Sequence, residues 1–251
     1  MLPYITIGQL KIPTYYSAMI LGFALTIVLM LLKPRRERYN LSCFQSIVFS
    51  TTELICGILG CKLLFVLENM DWVKKNGFTF GGFSFYGAVF LIPLIMPLIC
   101  KLIKINLRDS LDNSAICIIA MLGAIRFGCF LNGCCGGRVF HIGDFYFTLP
   151  VQLIESAYDF IVLFMLLKYE KERVACGFLY PRLLLFYGSA RFFIEFLRST
   201  SKDWLYLSHA QWFSIIAVII GIVFEIIFRK QKTYGNSSVE SYQKTLKSPL
   251  D

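Results

Sequence analysis

Tyr187, Arg191, Glu195 and Arg198 follow one another at intervals of four, four and three within an otherwise apolar stretch. In a helix that spacing puts all four on one face. A phenol, two guanidiniums and a carboxylate aligned in this way form a polar wall able to orient an anion. The bland reading is an Arg191–Glu195 ion pair that pins helix packing. A second apolar stretch carries Arg126 among five glycines, Gly123, Gly128, Gly133, Gly136 and Gly137, and ends at Arg138. A guanidinium never loses its charge at neutral pH and contacts phosphate oxygens two at a time, so arginines converging from different segments suit a phosphate. A phospholipid headgroup is the nearest available phosphate. The glycines permit either close approach of backbone or lipid, or close helix packing.

Three further groups complete the inventory. Ser84 and Tyr86 stand near the outer end of a third apolar stretch, Gln152 and Glu155 near the start of a fifth, and Gln211 near the start of a seventh. A tyrosine at such a position also reads as an interfacial anchor, and Gln211 as a helix-packing hydrogen bond. Cys129, Cys134 and Cys135 have the spacing C-x4-C-C, which is not a standard zinc pattern, and the nearest histidine is His141. No metal and no cofactor are expected. The cysteines at 43, 56, 61, 100, 117 and 176 lie in or beside apolar stretches and read as small hydrophobes without a disulfide framework.

The elements that must carry these groups follow from composition. Of the 251 residues, 57% are hydrophobic and 16% charged. At the ~20 apolar residues that one bilayer crossing needs, that is enough for about seven spans. A soluble enzyme, a disordered chain and a small disulfide scaffold are excluded. The net charge of +9 does not indicate nucleic acid, because the lysines and arginines flank apolar runs as topology signals do.

Spans are expected at 15–32, 41–67, 81–100, 111–135, 151–169, 177–197 and 209–228. With the N-terminus outside, the inside connections hold 15 Lys and Arg and the outside ones 6, so the positive-inside rule gives N-outside, C-inside. The expected fold is all-α: a polytopic membrane protein with about seven helices. The membrane domain covers residues 1–228, with a short external segment near 136–150. Residues 229–251 read as a cytoplasmic tail without hydrophobic periodicity.

The motifs, taken in order, resemble those of the prolipoprotein diacylglyceryl transferases of bacterial plasma membranes. Arg126-Phe127-Gly128-Cys129-Phe130-Leu131-Asn132-Gly133-Cys134-Cys135-Gly136-Gly137-Arg138 is similar to the family signature G-R-x-G-N-F-x-N-x-E-x-x-G-R. Gly82–Gly87 is similar to G-G-x-S-F-H-G, Pro150–Glu155 to H-P-x-Q-L-Y-E, and Tyr187–Arg198 to Y-G-x-x-R-x-x-x-E-x-x-R. The resemblance implies a seven-span enzyme that moves the diacylglyceryl group of phosphatidylglycerol to the thiol of a lipobox cysteine in a prolipoprotein, releasing glycerol 1-phosphate. It implies that Arg126 and Arg191 polarise the phosphate and that Tyr86 stands where the family has its proton-taking histidine. Glu195 and Arg198 would orient the arginines, and Tyr16, Ser84, Asn132, Gly137, Arg138, Gln152 and Tyr187 would line or shape the substrate site. This sequence departs from the family at Tyr86, Cys129, Cys134 and Ile125, and its external segment is shorter. Another thiol-bearing acceptor, or a non-catalytic protein that binds phospholipid or transports an anion, remains an open alternative on these residues.

Overall fold

In the structure, a computed structural model, residues 4–7, 10–39, 41–77, 82–143, 145–171, 177–200 and 205–247 are described. Gly81, Cys176, Lys202 and the last four residues of the chain, all named or counted above, lie outside them. Helices dominate in the order α1 (Thr14–Leu31), α2 (Lys33–Arg38), α3 (Cys43–Glu68), α4 (Met70–Asn76), α5 (Tyr86–Ile103), α6 (Leu107–Asn132), α7 (Val151–Lys171), α8 (Leu179–Ile194) and α9 (His209–Lys247). Five of these, α1, α3, α5, α6 and the Phe228-ending part of α9, are long and apolar enough to cross a membrane. The architecture is the all-α one of a polytopic membrane protein. Two antiparallel hairpins depart from it: β1 (Tyr4–Ile7) with β2 (Leu10–Pro13), and β3 (Val139–Ile142) with β4 (Phe145–Thr148). The second hairpin occupies the segment expected to be an external loop, where the β-branched and aromatic residues of Val139–Ile142 and Phe145–Thr148 fit a short ribbon better than a helix.

Helix α6 is the axis. It packs against α1, α5, α7 and α8, and its middle residues Ala115, Ile116, Ile119 and Ala120 have no exposed surface. The outer faces of the surrounding helices carry Leu21, Leu94, Leu98, Leu102 and Phe164 exposed, which is the pattern for a lipid solvent. Close crossings rely on small residues, as membrane helices do without a hydrophobic driving force between them. A side chain added at Gly128 would strike Ala18 of α1, and one added at Gly60 of α3 would strike the Gly87 carbonyl of α5.

Helix ends explain the boundaries. Ser42 and Gln45 form a capping box that starts α3. Asn106 caps α6, and Gly133, with φ of 76°, ends it. The start of α8 is capped from another helix: the Asp112 carboxylate of α6 accepts from the amides of Gly177, Leu179 and Tyr180 at 2.6, 2.8 and 3.3 Å. Beside it Arg35 donates to Glu170 at 3.1 Å and to Asn113 at 2.5 Å, and Tyr39 donates to the same Glu170 oxygen at 2.6 Å. The third expected span begins at Tyr86, so Ser84 precedes its helix, and the fourth ends at Asn132, so Cys134 and Cys135 follow theirs. Helix α9 continues through residues 229–247, where the sequence suggested an unstructured tail.

Candidate active site

The four-four-three spacing at Tyr187–Arg198 holds only in part as helix. Helix α8 stops at Ile194, Glu195–Leu197 form one 3-10 turn, and Arg198 has extended backbone. The four side chains nevertheless come together, because the extended residue is pinned to the loop after α6. Gly137 forms an antiparallel bridge with Arg198, and the Arg138 amide donates to the Leu197 carbonyl at 2.9 Å. A side chain at Gly137 would collide with Val151 and lie 2.8 and 2.9 Å from the carbonyl oxygens of Leu149 and Leu197, so only glycine lets these backbones meet.

The centre of the site is Glu155, on the second turn of α7. Arg126 Nε lies 2.8 Å from its Oε2, and Arg191 and Arg198 lie 2.6 and 3.2 Å from its Oε1. Arg191 also pairs with Glu195 at 2.7 Å, while the other Glu195 oxygen accepts from Thr200 at 2.6 Å and Ser208 at 3.2 Å. All five charged side chains are buried or nearly so. Buried charges persist only when paired and hydrogen-bonded, and here three guanidiniums from α6 and the end of α8 face two carboxylates. The ion-paired set carries one positive charge in excess. An anion with a single negative charge matches it.

Two cavities meet at this cluster. The larger, about 660 Å³, is lined chiefly by apolar side chains of α1, α3, α5 and α6, with Tyr16, Glu53, Arg126 and Asn132 among the polar ones. The smaller, about 300 Å³, is lined by Ser84, Tyr86, Tyr187, Arg191, Glu195 and Arg198, with Glu68 and His209 also on its wall. Arg126 and Cys135 line both. A ligand with a long apolar part and a compact anionic part therefore fits with its charge at Arg126.

The structure distributes the expected site residues unevenly. Arg126, Arg191, Arg198, Glu195, Tyr187, Tyr86, Ser84, Tyr16 and Asn132 line one cavity or both. The Tyr187 hydroxyl, buried at 6% exposure, has no hydrogen-bond partner among the described residues, so an incoming oxygen would satisfy it. Tyr86 is buried, and its hydroxyl is 2.7 Å from Ser214 Oγ. Since Ser214 donates its proton to the Ala210 carbonyl at 2.7 Å, the Tyr86 phenol is the donor of the pair.

Gly137, Arg138 and Gln152 stand apart from these. None of them lines either cavity. Gly137 and Arg138 dock the loop after α6 onto the end of α8, and the buried Gln152 donates to the Cys134 carbonyl at 2.6 Å. Their contacts fix backbone of neighbouring elements. The glycines of the Arg126 motif divide likewise between helix crossings, the end of α6 and this docking.

Several site residues were not singled out from the sequence. Glu155 was visible as a carboxylate at depth, but its partnership with three arginines needed the fold. Asp159 lies one turn further on α7, buried, with Oδ2 unpartnered among the described residues. Thr200 and Ser208 come from an ordinary-looking connection, and Glu68 and His209 from the end of α3 and the start of α9. The three thiols expected to be unrelated to a metal are grouped, with their Sγ atoms all within 4.8 Å of one another. In the loop beyond α6, the Cys129 hydrogen bond and the Arg126 and Arg198 guanidiniums hold the Cys135 thiol below its usual range. The eight described cysteines are all free.

The chain is similar to known proteins over most of its length. A phosphatidylglycerol–prolipoprotein diacylglyceryl transferase of Clostridium tetani is 30% identical over 246 residues, covering 88% of this chain and 96% of its own. Proteins of the same name from Ehrlichia ruminantium and Streptococcus mutans are 28% and 24% identical, covering 86% and 95% of this chain and 92% and 97% of theirs. The family model described as prolipoprotein diacylglyceryl transferase matches residues 3–227, a range that holds every residue lining the two cavities, and the chain belongs to that family.

Proposed function

We propose that this protein is a multi-pass enzyme of the bacterial plasma membrane that transfers the diacylglyceryl group of phosphatidylglycerol to the thiol of a lipobox cysteine in a prolipoprotein, releasing glycerol 1-phosphate. The observation that carries the reading is Arg126 between an apolar and a polar cavity, held by the same carboxylate as Arg191 and Arg198. The acyl chains lie in the larger cavity and the phosphodiester at the arginines. The acceptor sulfur attacks the glyceryl carbon bonded to the phosphate oxygen. A C–S bond forms, the C–O bond breaks, and the electron pair passes to the departing phosphate, whose charge grows as it leaves. Preorganised guanidiniums stabilise that growing charge most strongly in a dry site.

Tyr86, as a donor to Ser214, is suited to holding α5 against α9 rather than to taking the acceptor's proton. Among the described residues, the imidazole on the wall of either cavity is that of His209, with Glu68 in electrostatic range. We assign the proton to His209. Seven spans with the N-terminus outside would put the arginine cluster toward the outer leaflet. Helices α7 and α8 complete the seven; α7 departs from a simple apolar span by carrying the buried Glu155 and Asp159, and α8 by having only 16 residues.

The test is purified protein with phosphatidylglycerol and a lipobox peptide, reading glycerol phosphate release and the peptide's mass together. Release with a diacylglyceryl increment is expected. Arg126→Ala and Arg191→Ala should each lower turnover by about 10²-fold to 10³-fold, and full activity in both variants would overturn the phosphate-clamp assignment.

A further inference from the structure

The phosphate clamp leaves one chemically distinctive group unused, the thiols of Cys129, Cys134 and Cys135. Their Sγ atoms lie within 4.8 Å of one another. A tetrahedral zinc with ~2.3 Å bonds to sulfur needs S···S separations of about 3.8 Å, so closure requires movements of roughly 1 Å or less. The exposed Cys135 side chain has room to make them.

The backbone sets this grouping. Cys129 belongs to the last turn of α6, Gly133 turns the chain, and the Cys134 amide donates back to the Cys129 carbonyl at 3.1 Å. Gln152 fixes the Cys134 carbonyl from α7 at 2.6 Å. Cys135 follows with φ of 61°, a left-handed conformation that is uncommon for a residue other than glycine and marks a locally constrained position. All three line the larger cavity, and Cys135 lines the smaller as well. The group thus stands where the donor's reacting carbon and the acceptor's sulfur have to meet.

We propose that Cys129, Cys134 and Cys135 bind a thiophilic divalent cation of the zinc type, whose open fourth position takes the acceptor thiol. Three protein ligands with one open position is the arrangement of a catalytic rather than a structural zinc site. A thiol that enters such a site is deprotonated. Three thiolates around a divalent ion carry one net negative charge, and Arg126 and Arg198, already paired with Glu155, lie within electrostatic range of the thiols. The proposal rests on the transferase reading and adds how the acceptor is made nucleophilic. The acceptor sulfur binds the cation as its proton passes to His209. That sulfur then forms the C–S bond as the C–O bond to phosphate breaks. The cation is neither oxidised nor reduced, and the thioether product, a weaker ligand than a thiolate, leaves.

The experiment uses the full chain in detergent, reduced and stripped with a chelator, then loaded with Co2+ as a spectroscopic probe. Thiolate-to-cobalt charge-transfer absorption is expected. A lipobox peptide should intensify it, and the same peptide with serine in place of cysteine should leave it unchanged. Stripped protein should transfer at least tenfold more slowly, with Zn2+ restoring the rate. Cys135→Ser, at an exposed position that α6 does not need, should weaken Co2+ binding by on the order of 100-fold. Full transfer by stripped protein, or the absence of a charge-transfer band, would overturn the metal site and leave the transferase reading intact. A cobalt band that responds to the cysteine peptide in a protein that never transfers would support the site while the transferase reading fails.

Discussion

Glu155 shows how a single residue organises an ion-paired cluster. Its two oxygens are within ion-pair distance of Arg126, Arg191 and Arg198, so the carboxylate both neutralises charge within the bundle and fixes the direction of three guanidiniums. Replacing one partner of a buried pair leaves the others uncompensated, at a cost of about 3–5 kcal/mol. Glu155→Gln, which keeps the shape, should lower thermal stability by that order and lose transfer activity with it. A variant as stable and as active as the parent would show that the arginines are oriented by something else. Tyr86 and His209 are separated by a paired test. Tyr86→Phe removes one hydrogen bond, worth about 1 kcal/mol, and should leave turnover within a few-fold. His209→Ala should cost about 10²-fold to 10⁴-fold in turnover, the range for a general base. The reverse ordering would return the proton-accepting role to Tyr86.

At the scale of elements, the site depends on how closely helices approach. The Gly60–Gly87 crossing brings α3 against the first turn of α5, and the Ser84 amide, just before that turn, donates to the Cys61 carbonyl at 3.0 Å. Ser84, Phe85 and Tyr86 therefore hang on this contact as they line the smaller cavity. Gly87→Ala should separate the two helices and cost about 1–3 kcal/mol through overpacking. Because the displacement moves the cavity wall, turnover should fall more than the stability loss explains at a temperature where the variant is still folded. Unfolding curves and rates measured on the same preparation check this. A loss of stability without a loss of rate would mean that the cavity wall is positioned from α9, through the Tyr86–Ser214 bond, and not from α3.

Over the whole molecule, polar clusters stand at both ends of the helices. At one end are the three arginines and the smaller cavity, and from there the larger cavity runs along α1, α3 and α6. At the other, Arg35, Tyr39, Asn113 and Glu170 tie α2 to α6 and α7, while Asp112 caps α8. In the proposed orientation the first end faces outward and the second inward. Cys43 begins α3 at the inward end and Cys135 follows α6 at the outward end, and both are exposed. In single-cysteine variants, a membrane-impermeant maleimide added to sealed vesicles of known orientation should reach Cys135 from the outside and Cys43 from the inside. Labelling of both from one side would refute the seven-span arrangement.

The amino-acid sequence by itself determined the membrane class, the helical architecture and the approximate segments, because a bilayer demands long apolar runs and admits few charges within them. It also made Arg126, Arg191, Glu195 and Arg198 conspicuous, since a charge within such a run stands out whatever the fold. The hairpin β3–β4, the end of α8 at Ile194 and the docking roles of Gly137, Arg138 and Gln152 were decided by tertiary structure. Each depends on backbone groups that find partners on another element, and spacing along the chain records none of those partners. The same reason separates Glu155 from the other carboxylates: its charge was legible, but the convergence of three guanidiniums from α6 and the end of α8 on it exists only once α6, α7 and α8 pack together. The thiol triad is another such case, for C-x4-C-C becomes a cluster through the turn at Gly133 and the left-handed backbone of Cys135.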